Sequence, residues 1–318
     1  MTSGTQAGHV PAWRFLLRKS VEIGVVLLGA TLFLFVLAHV IPGDPIRALF
    51  GFRPPPPELL AELRDRYGLD DPFIVQYAKY LRNLVHGDMG YSFRGGEVSG
   101  IIAVALPISL KLVGFTVAFE LVIGIGAAVI ATRYNRQFVS VLIQVTTLFI
   151  LAIPIFVFAY AMQGVFGQRL GWFPIRGQFG DWMGLVLPAL TLAVVSTAVV
   201  VRVAHERLVD TMGKPFIKIH YANGIGQGRL VRVHALRASL VTIVTLVAAT
   251  ISQVIAGLII VETVFQIPGV GSVVYGAIRA KDHNVIVGVL VIAVFFVILV
   301  NFTADIVCGI IDPRFRQD

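Results

Sequence analysis

One cysteine, Cys308, stands in the whole 318-residue chain. An internal disulfide is therefore excluded, and so is a metal cluster built on several thiolates. Charge is scarce as well: Asp, Glu, Lys and Arg make up 14% of the residues, against roughly 25% in a soluble domain. Acids are scarcer than bases, 18 against 26, leaving a net charge of +8. In a soluble chain that excess would point to nucleic acid. Here the basic residues flank long apolar runs, so the positive-inside rule accounts for them and no nucleic-acid partner is expected.

Catalytic motifs are missing too. No GxxxxGK[ST] run occurs: Gly213-Lys214 is followed by Pro215, which has no hydroxyl to offer a magnesium ion. His205-Glu206 begins an HExxH pattern, but Val209 stands where the second zinc-binding histidine should be. There is no GxSxG. The chain is expected to be no enzyme and to bind no metal or cofactor of its own.

What is abundant is apolar surface: 57% of residues are hydrophobic and the mean hydropathy is +0.84. The pattern predicts an all-α polytopic membrane protein with six transmembrane helices. Arg14, Arg18 and Lys19 precede an apolar run over 21–41. At about 1.5 Å per residue this run crosses a ~30 Å hydrocarbon core and is too long for a cleaved signal sequence. Residues 1–20 are then an inner terminus and 21–41 the first span. The other spans fall near Leu106–Ala131, Phe138–Phe166 with a kink at Pro154, Leu185–Val203, Leu240–Val261 and Val285–Ile311. They make a core over 101–311, closed by a second inner terminus at 312–318.

Between the first two spans, 42–100 reads as a small helical subdomain on the outer side. IPGDP at 41–45 is a turn by composition, and the four prolines at 54–57 are a stiff extended piece. A helix is expected over Pro57–Tyr67. A second is expected with Asp71 as its cap, Pro72 at its first position and Gly87 at its end; Phe73, Tyr77, Tyr80, Leu81 and Leu84 form its apolar stripe. This pair either packs on the tips of the spans or offers a surface to a substrate-delivering protein. In VETVFQIPGVGSVVYGAI, Val261–Ile278, the residues Pro268, Gly269 and Gly271 are expected to break any regular helix.

Four ionisable residues fall in or beside apolar spans: Lys111, Glu120, Glu262 and Asp305. A charge there is costly and faces protein or water, so each is a candidate for the pathway or for assembly.

The longest polar interruption in the second half lies within 202–239. It holds Arg202, Arg207, Lys214, Lys218, Arg229, Arg232 and Arg237 against only Glu206 and Asp210, which places it on the cytoplasmic side. Pro215 starts a short helix, where its missing N–H costs nothing. Gly224 stops it by taking a left-handed conformation at little cost. Between them lie Phe216, Ile217, Lys218, Ile219, His220, Tyr221, Ala222 and Asn223. A helix this short is marginal alone, so it needs clamping between the membrane part and a soluble partner.

This run resembles the "EAA loop" of binding-protein-dependent ABC importer permeases. Ala222 and Gly224 fit the motif's last alanine and its glycine. His220 stands where a second small residue is usual, and Asn223 replaces a common lysine. IPGDP, RYGLDDP, QYAKYL and HGDMGYS resemble the first half of dipeptide and oligopeptide importer permeases of the B-type subunit, and LGWFP, LPALTLA, ETVF, PGVG and the closing DPR are similar to the rest. The resemblance covers roughly 14–316. It implies the type I ABC importer permease fold in a bacterial inner membrane. It also implies a second homologous permease, two ATPase subunits carrying ATP and magnesium, and an extracytoplasmic binding protein. Residues 215–224 would be the ATPase-coupling element. Relatives of this kind carry peptides, nickel chelates, glutathione or haem. An ion-coupled secondary transporter is the alternative; it would use ionisable residues near the membrane midplane and two repeated halves.

Overall fold

The computed structural model describes residues 12–40, 56–59, 61, 71–92, 94–134, 137–175 and 182–312, with the side chains of 12–16 and 38–40 outside the description. The IPGDP turn, most of the Pro57–Tyr67 helix, Arg136, Arg314 and Arg316 lie outside the described residues.

The described chain is helical. The helices are α1 (Ala12–Val40), α2 (Phe73–Val85), α3 (Val98–Tyr134), α4 (Gln137–Ala152), α5 (Ile155–Arg169), α6 (Met183–Met212), α7 (Pro215–Ala222), α8 (Gln227–Val264), α9 (Val270–Ala280) and α10 (His283–Ile311). Three carry a π-helical stretch: Glu120–Ile125 in α3, Gln163–Arg169 in α5 and Leu230–Ala235 in α8. Five helices are long and apolar enough to cross a membrane, or six if α4 and α5 form one broken span. α4 and α5 meet at 92°. Pro154 is extended at the break (φ −60°, ψ 141°), so the expected kink is a full interruption. Its ring cannot donate the hydrogen bond that would carry the helix through.

α6 is the central helix. Two-thirds of its apolar window (67%) is buried, against 28% or less for the other long spans. It packs on α3, α4 and α8, while α8 also packs on α9 and α10, and α1 leans on α10 from outside. Among the glycines of α3, Gly124 lets a neighbour approach: an added Cβ would sit 3.0 Å from Val200 on α6. Gly114 and Gly126 face nothing within 4 Å.

The spans are longer than the hydropathy pattern suggested. α3 begins at Val98 rather than Leu106, α6 runs on to Met212 rather than Val203, and α8 begins at Gln227 rather than Leu240. The interruption at 202–239 is therefore mostly helix, broken only around 213–214 and 223–226. Polar residues end an apolar run, yet they do not end a helix that leaves the membrane still packed. Leu208 and Thr211 at the end of α6 and Leu230 and Val231 at the start of α8 are buried. The stretch over 261–278 is also corrected. Pro268 and Gly269 interrupt the chain, but Gly271 lies within α9. In α2, Pro72 is the extended residue before the helix (φ −56°, ψ 142°) and no side chain caps it. Asp71 instead pairs with Lys79, Oδ2 to Nζ at 2.6 Å.

Candidate functional site

α7 stands between α6 and α8 at one end of the bundle. Lys214 is extended (φ −71°, ψ 149°) and Pro215 opens the helix behind it, with Ile217 N and Lys218 N donating to Lys214 O. The far end closes as a Schellman motif. Gly224 sits at φ +83°, its N–H donates to Tyr221 O at 3.0 Å, and Ile225 N–H donates to His220 O at 3.3 Å. Ile225 then tucks against the cluster that holds the helix down.

One side chain anchors α7. Ile217 is 2% exposed and packs with Ala204 and Leu208 of α6, Leu230, Ala235 and Ile243 of α8, and Ala128 of α3. Burying it contributes about 1.5–3 kcal/mol, enough to fix a helix too short to persist alone. His220 adds a second tie: its ring lies 4.3 Å from that of His234, on the π-stretch of α8. The opposite face is open. Ile219 is 61% exposed, and Pro215 and Ala222 on the same face, with Phe216 beside it, are exposed too. Tyr221, Lys218 and Asn223 are exposed as well. An exposed apolar face at the end of the bundle, next to a stretch of α8 that exposes Arg229, Arg232 and Arg237, is a surface suited to another protein. The two acids nearby pair with their own helix: Glu206 with Arg202 at 3.5 Å and Asp210 with Arg207 at 3.7 Å.

His205 is explained without a metal. It is buried, with Nδ1 2.9 Å from Thr132 Oγ1 and Nε2 3.0 Å from Ser140 Oγ, so it ties α6 to α3 and α4. Among the described residues no group of three or more His, Cys, Asp or Glu could hold a metal ion.

The four scattered ionisable residues part company. Glu120 opens the π-stretch of α3 and is wholly buried; Thr250 of α8 donates to its Oε1 at 2.5 Å, and Ser196 of α6 lies beside it. It joins α3 to α8, and its buried Oε2 has no hydrogen-bond partner among the described residues. Glu262, expected in a loop, sits in the last turns of α8 and is wholly buried. Ser109 of α3 donates to its Oε1 at 2.5 Å, and Ser272 N–H donates to its Oε2 at 3.1 Å. The carboxylate thus caps α9, supplying from another helix the oxygen that Gly269 lacks. A Cβ on Gly269 would collide with that carboxylate, and one on Gly271 would come within 2.6 Å of the α8 backbone at Ile259. Asp305 of α10 pairs with Lys19 of α1 at 3.0 Å, and Lys19 also pairs with Glu22 at 3.1 Å. Lys111 is the exception: it is exposed, about a third of the way along α3.

The structure also supplies contacts the sequence reading passed over. Ser92 in the HGDMGYS run donates to Asp282 at 2.6 Å, and Asp282 in turn accepts from Val285 N–H at the start of α10. Asn284 donates to Tyr91 O at 2.9 Å. Hydroxyls inside apolar runs, such as Ser109 in LPISL and Thr250, were the available signal for the carboxylates' partners.

Residues 121–317 match the family model described as "Binding-protein-dependent transport system inner membrane component". Residues 12–112 match the corresponding N-terminal model. The chain is 30% identical to the dipeptide transport system permease protein DppB of Alkalihalophilus pseudofirmus, over 95% of this chain and 99% of that one. It is 30% identical to the oligopeptide transport system permease protein OppB of Haemophilus influenzae, again over 95% and 99%. It is 31% identical to AppB of Bacillus subtilis, also an oligopeptide permease, over 94% and 98%. Its fold is similar to a chain of the inward-facing MetNI methionine ABC transporter, with a TM-score of 0.56 at 19% identity, covering 67% of this chain and 96% of that one.

Proposed function

The chain belongs to the family of binding-protein-dependent transport system inner membrane components, and from that membership we propose that it is the permease subunit of an ATP-driven importer of di- or oligopeptides. The relatives' names support the substrate class. In this reading the chain forms the pathway with a homologous second permease and is itself no enzyme. Two ATPase subunits bind ATP and magnesium below it, and a binding protein delivers substrate on the other side. The α7 end is then cytoplasmic, as its basic residues favour, and both termini lie on that side.

The observation that carries the proposal is α7 itself. It is rooted by Ile217 between the ends of two long helices and turns an apolar face outward. When the ATPase dimer closes, a push on that face is passed to α6 and α8 together. Coupling needs this contact to differ between the two ATPase states, since equal docking in both would shift nothing.

The ion-coupled alternative would draw on carboxylates near the midplane. Glu262 and Asp305 are engaged within the chain, by a serine, a helix start and a lysine, while Glu120 is held by Thr250 through Oε1 and its buried Oε2 has no hydrogen-bond partner among the described residues. Lys111 remains. A lysine exposed on an apolar span is costly in lipid, so this reading puts it on the surface shared with the second permease, along which the pathway runs.

The test is transport. The chain is purified with its neighbouring subunits, reconstituted in liposomes, and given labelled di- and oligopeptides with the binding protein. Uptake that requires ATP and survives collapse of ion gradients is expected. Uptake driven by an ion gradient without ATP would overturn the proposal.

A further inference from the structure

α2 was expected to be either packing for the span tips or a surface for the delivering protein. Its three faces separate these. At about 100° per residue, Phe73, Tyr77, Tyr80 and Leu84 share one face. They pack on the protein: the Phe35 ring of α1 lies 5.3 to 5.4 Å from the rings of Phe73, Tyr77 and Tyr80, and Tyr80 and Leu84 reach Leu34 of α1 and Val287 and Val291 of α10. Next to this face lie Ile74, Ala78, Leu81 and Val85. They are apolar but largely uncovered, with Ile74 79% exposed and Val85 84%. Gln76, Lys79 and Asn83 occupy the far side, where Lys79 is tied to Asp71, and the exposed Val75 and Arg82 lie between that side and the open apolar face.

The height of the helix says what covers the open apolar face. Tyr77 Oη donates to Leu28 O at 3.1 Å and meets Thr31 Oγ1 at 3.0 Å. Both lie within the apolar window of α1, Leu17–Leu37. The apolar run of this helix continues to Ile41, so Phe35, which carries the ring contacts to α2, lies about 9 Å along the helix inside its end, with Thr31 and Leu28 deeper. α2 is therefore held below the level at which α1 leaves the hydrocarbon. Beside it α1 turns its own uncovered Leu32, Phe33, Val36 and Leu37 outward. A helix with a polar back, an apolar underside and a depth of about 5–10 Å is one that lies in the membrane interface.

We propose that the Ile74–Ala78–Leu81–Val85 face of α2 is bedded in the acyl chains of the leaflet opposite the α7 end, and is no docking surface for a protein. The polar side, Gln76, Lys79 and Asn83, faces water above it. α2 thereby acts as an interfacial strut that bears on α1 and α10. The inference needs the chain to sit in a membrane and is independent of what it transports.

The test is depth by spin label. Single cysteines replace Ile74, Val85, Lys79 or Asn83 in a Cys308→Ser chain, within the whole complex in phosphatidylethanolamine–phosphatidylglycerol nanodiscs. The Cys308→Ser complex serves as the blank. Labels at 74 and 85 should be relaxed by oxygen several-fold more than by a water-soluble nickel chelate. Labels at 79 and 83 should show the reverse. Adding the binding protein should change neither at 74 and 85. Nickel access at 74 and 85 that disappears when the binding protein is added would make the face a protein-docking surface. Shielding from both reagents in the absence of the binding protein would assign it to another membrane subunit. Either result overturns the proposal.

Discussion

Glu262 and Ser109 are 153 positions apart, and their side chains meet at 2.5 Å. The same serine oxygen accepts the Val270 N–H at 2.8 Å, while the carboxylate accepts from Ser272. One hydroxyl and one carboxylate therefore fasten the end of α8, the start of α9 and the flank of α3 at a single point. The two glycines of PGVG leave room for the carboxylate and for the α8 backbone.

Breaking this point should loosen α9. Glu262→Leu removes the cap and leaves N–H groups at a buried helix start, at a cost of about 1–3 kcal/mol. Glu262→Gln keeps an acceptor oxygen and should cost less. Gly269→Ala drives a methyl into the carboxylate and should resemble the leucine variant. Thermal unfolding of the purified complex ranks the three; equal midpoints for wild type and Glu262→Leu would show that the cap is immaterial.

Gln266 is a second local test. It takes a left-handed conformation at φ +54°, and the turn is closed by Gln266 N–H to Thr263 O and Ile267 N–H to Glu262 O. A non-glycine residue there carries about 1–2 kcal/mol of strain. Gln266→Gly should leave the unfolding midpoint unchanged or raised, because released strain offsets the added chain freedom. Gln266→Val should lower it, since a β-branched residue is a genuine outlier at that angle. A glycine variant less stable than the valine variant would contradict the assigned turn.

The Lys19–Asp305 pair joins α1 to the core at the α7 end. Both side chains are about a third exposed, 28% and 32%. The pair should then be worth about 0.2–1 kcal/mol, as partly exposed pairs are. Asp305→Leu should reduce the yield of assembled complex modestly without changing transport per complex. The exchange of both charges, Lys19→Asp with Asp305→Lys, should restore the yield. Normal yield of Asp305→Leu with lost transport would make Asp305 a pathway residue instead.

The helices and their order were legible because apolar runs of spanning length announce themselves. The Pro215 start and Gly224 stop were legible because each residue has one strong backbone reason to be there. Helix ends beyond the membrane were not. Composition marks where hydrocarbon stops, and Leu208 and Leu230 show that packing continues past it. Partners were not legible either: nothing local in VETVF reveals that Glu262 finds Ser109 across the fold. The right-angled break at Pro154 was half legible, since proline signals interruption but not its angle.

Transport in the proposed function depends on α7 as the coupling element. Gly224→Val cannot hold φ +83° and should redirect the chain leaving α7. Ala222→Glu should put bulk and charge on the outward face beside Ile219 while leaving the Ile217 anchor in place. Both variants should insert in the membrane normally, since α7 lies outside the spans. The decisive measurement takes each reconstituted complex and reads ATPase retention, ATP hydrolysis and peptide uptake in the same liposomes. Uptake should be lost in both, with ATPases either shed or hydrolysing without transport. Wild-type uptake with normally stimulated hydrolysis in both would contradict it and leave α7 a mere connector.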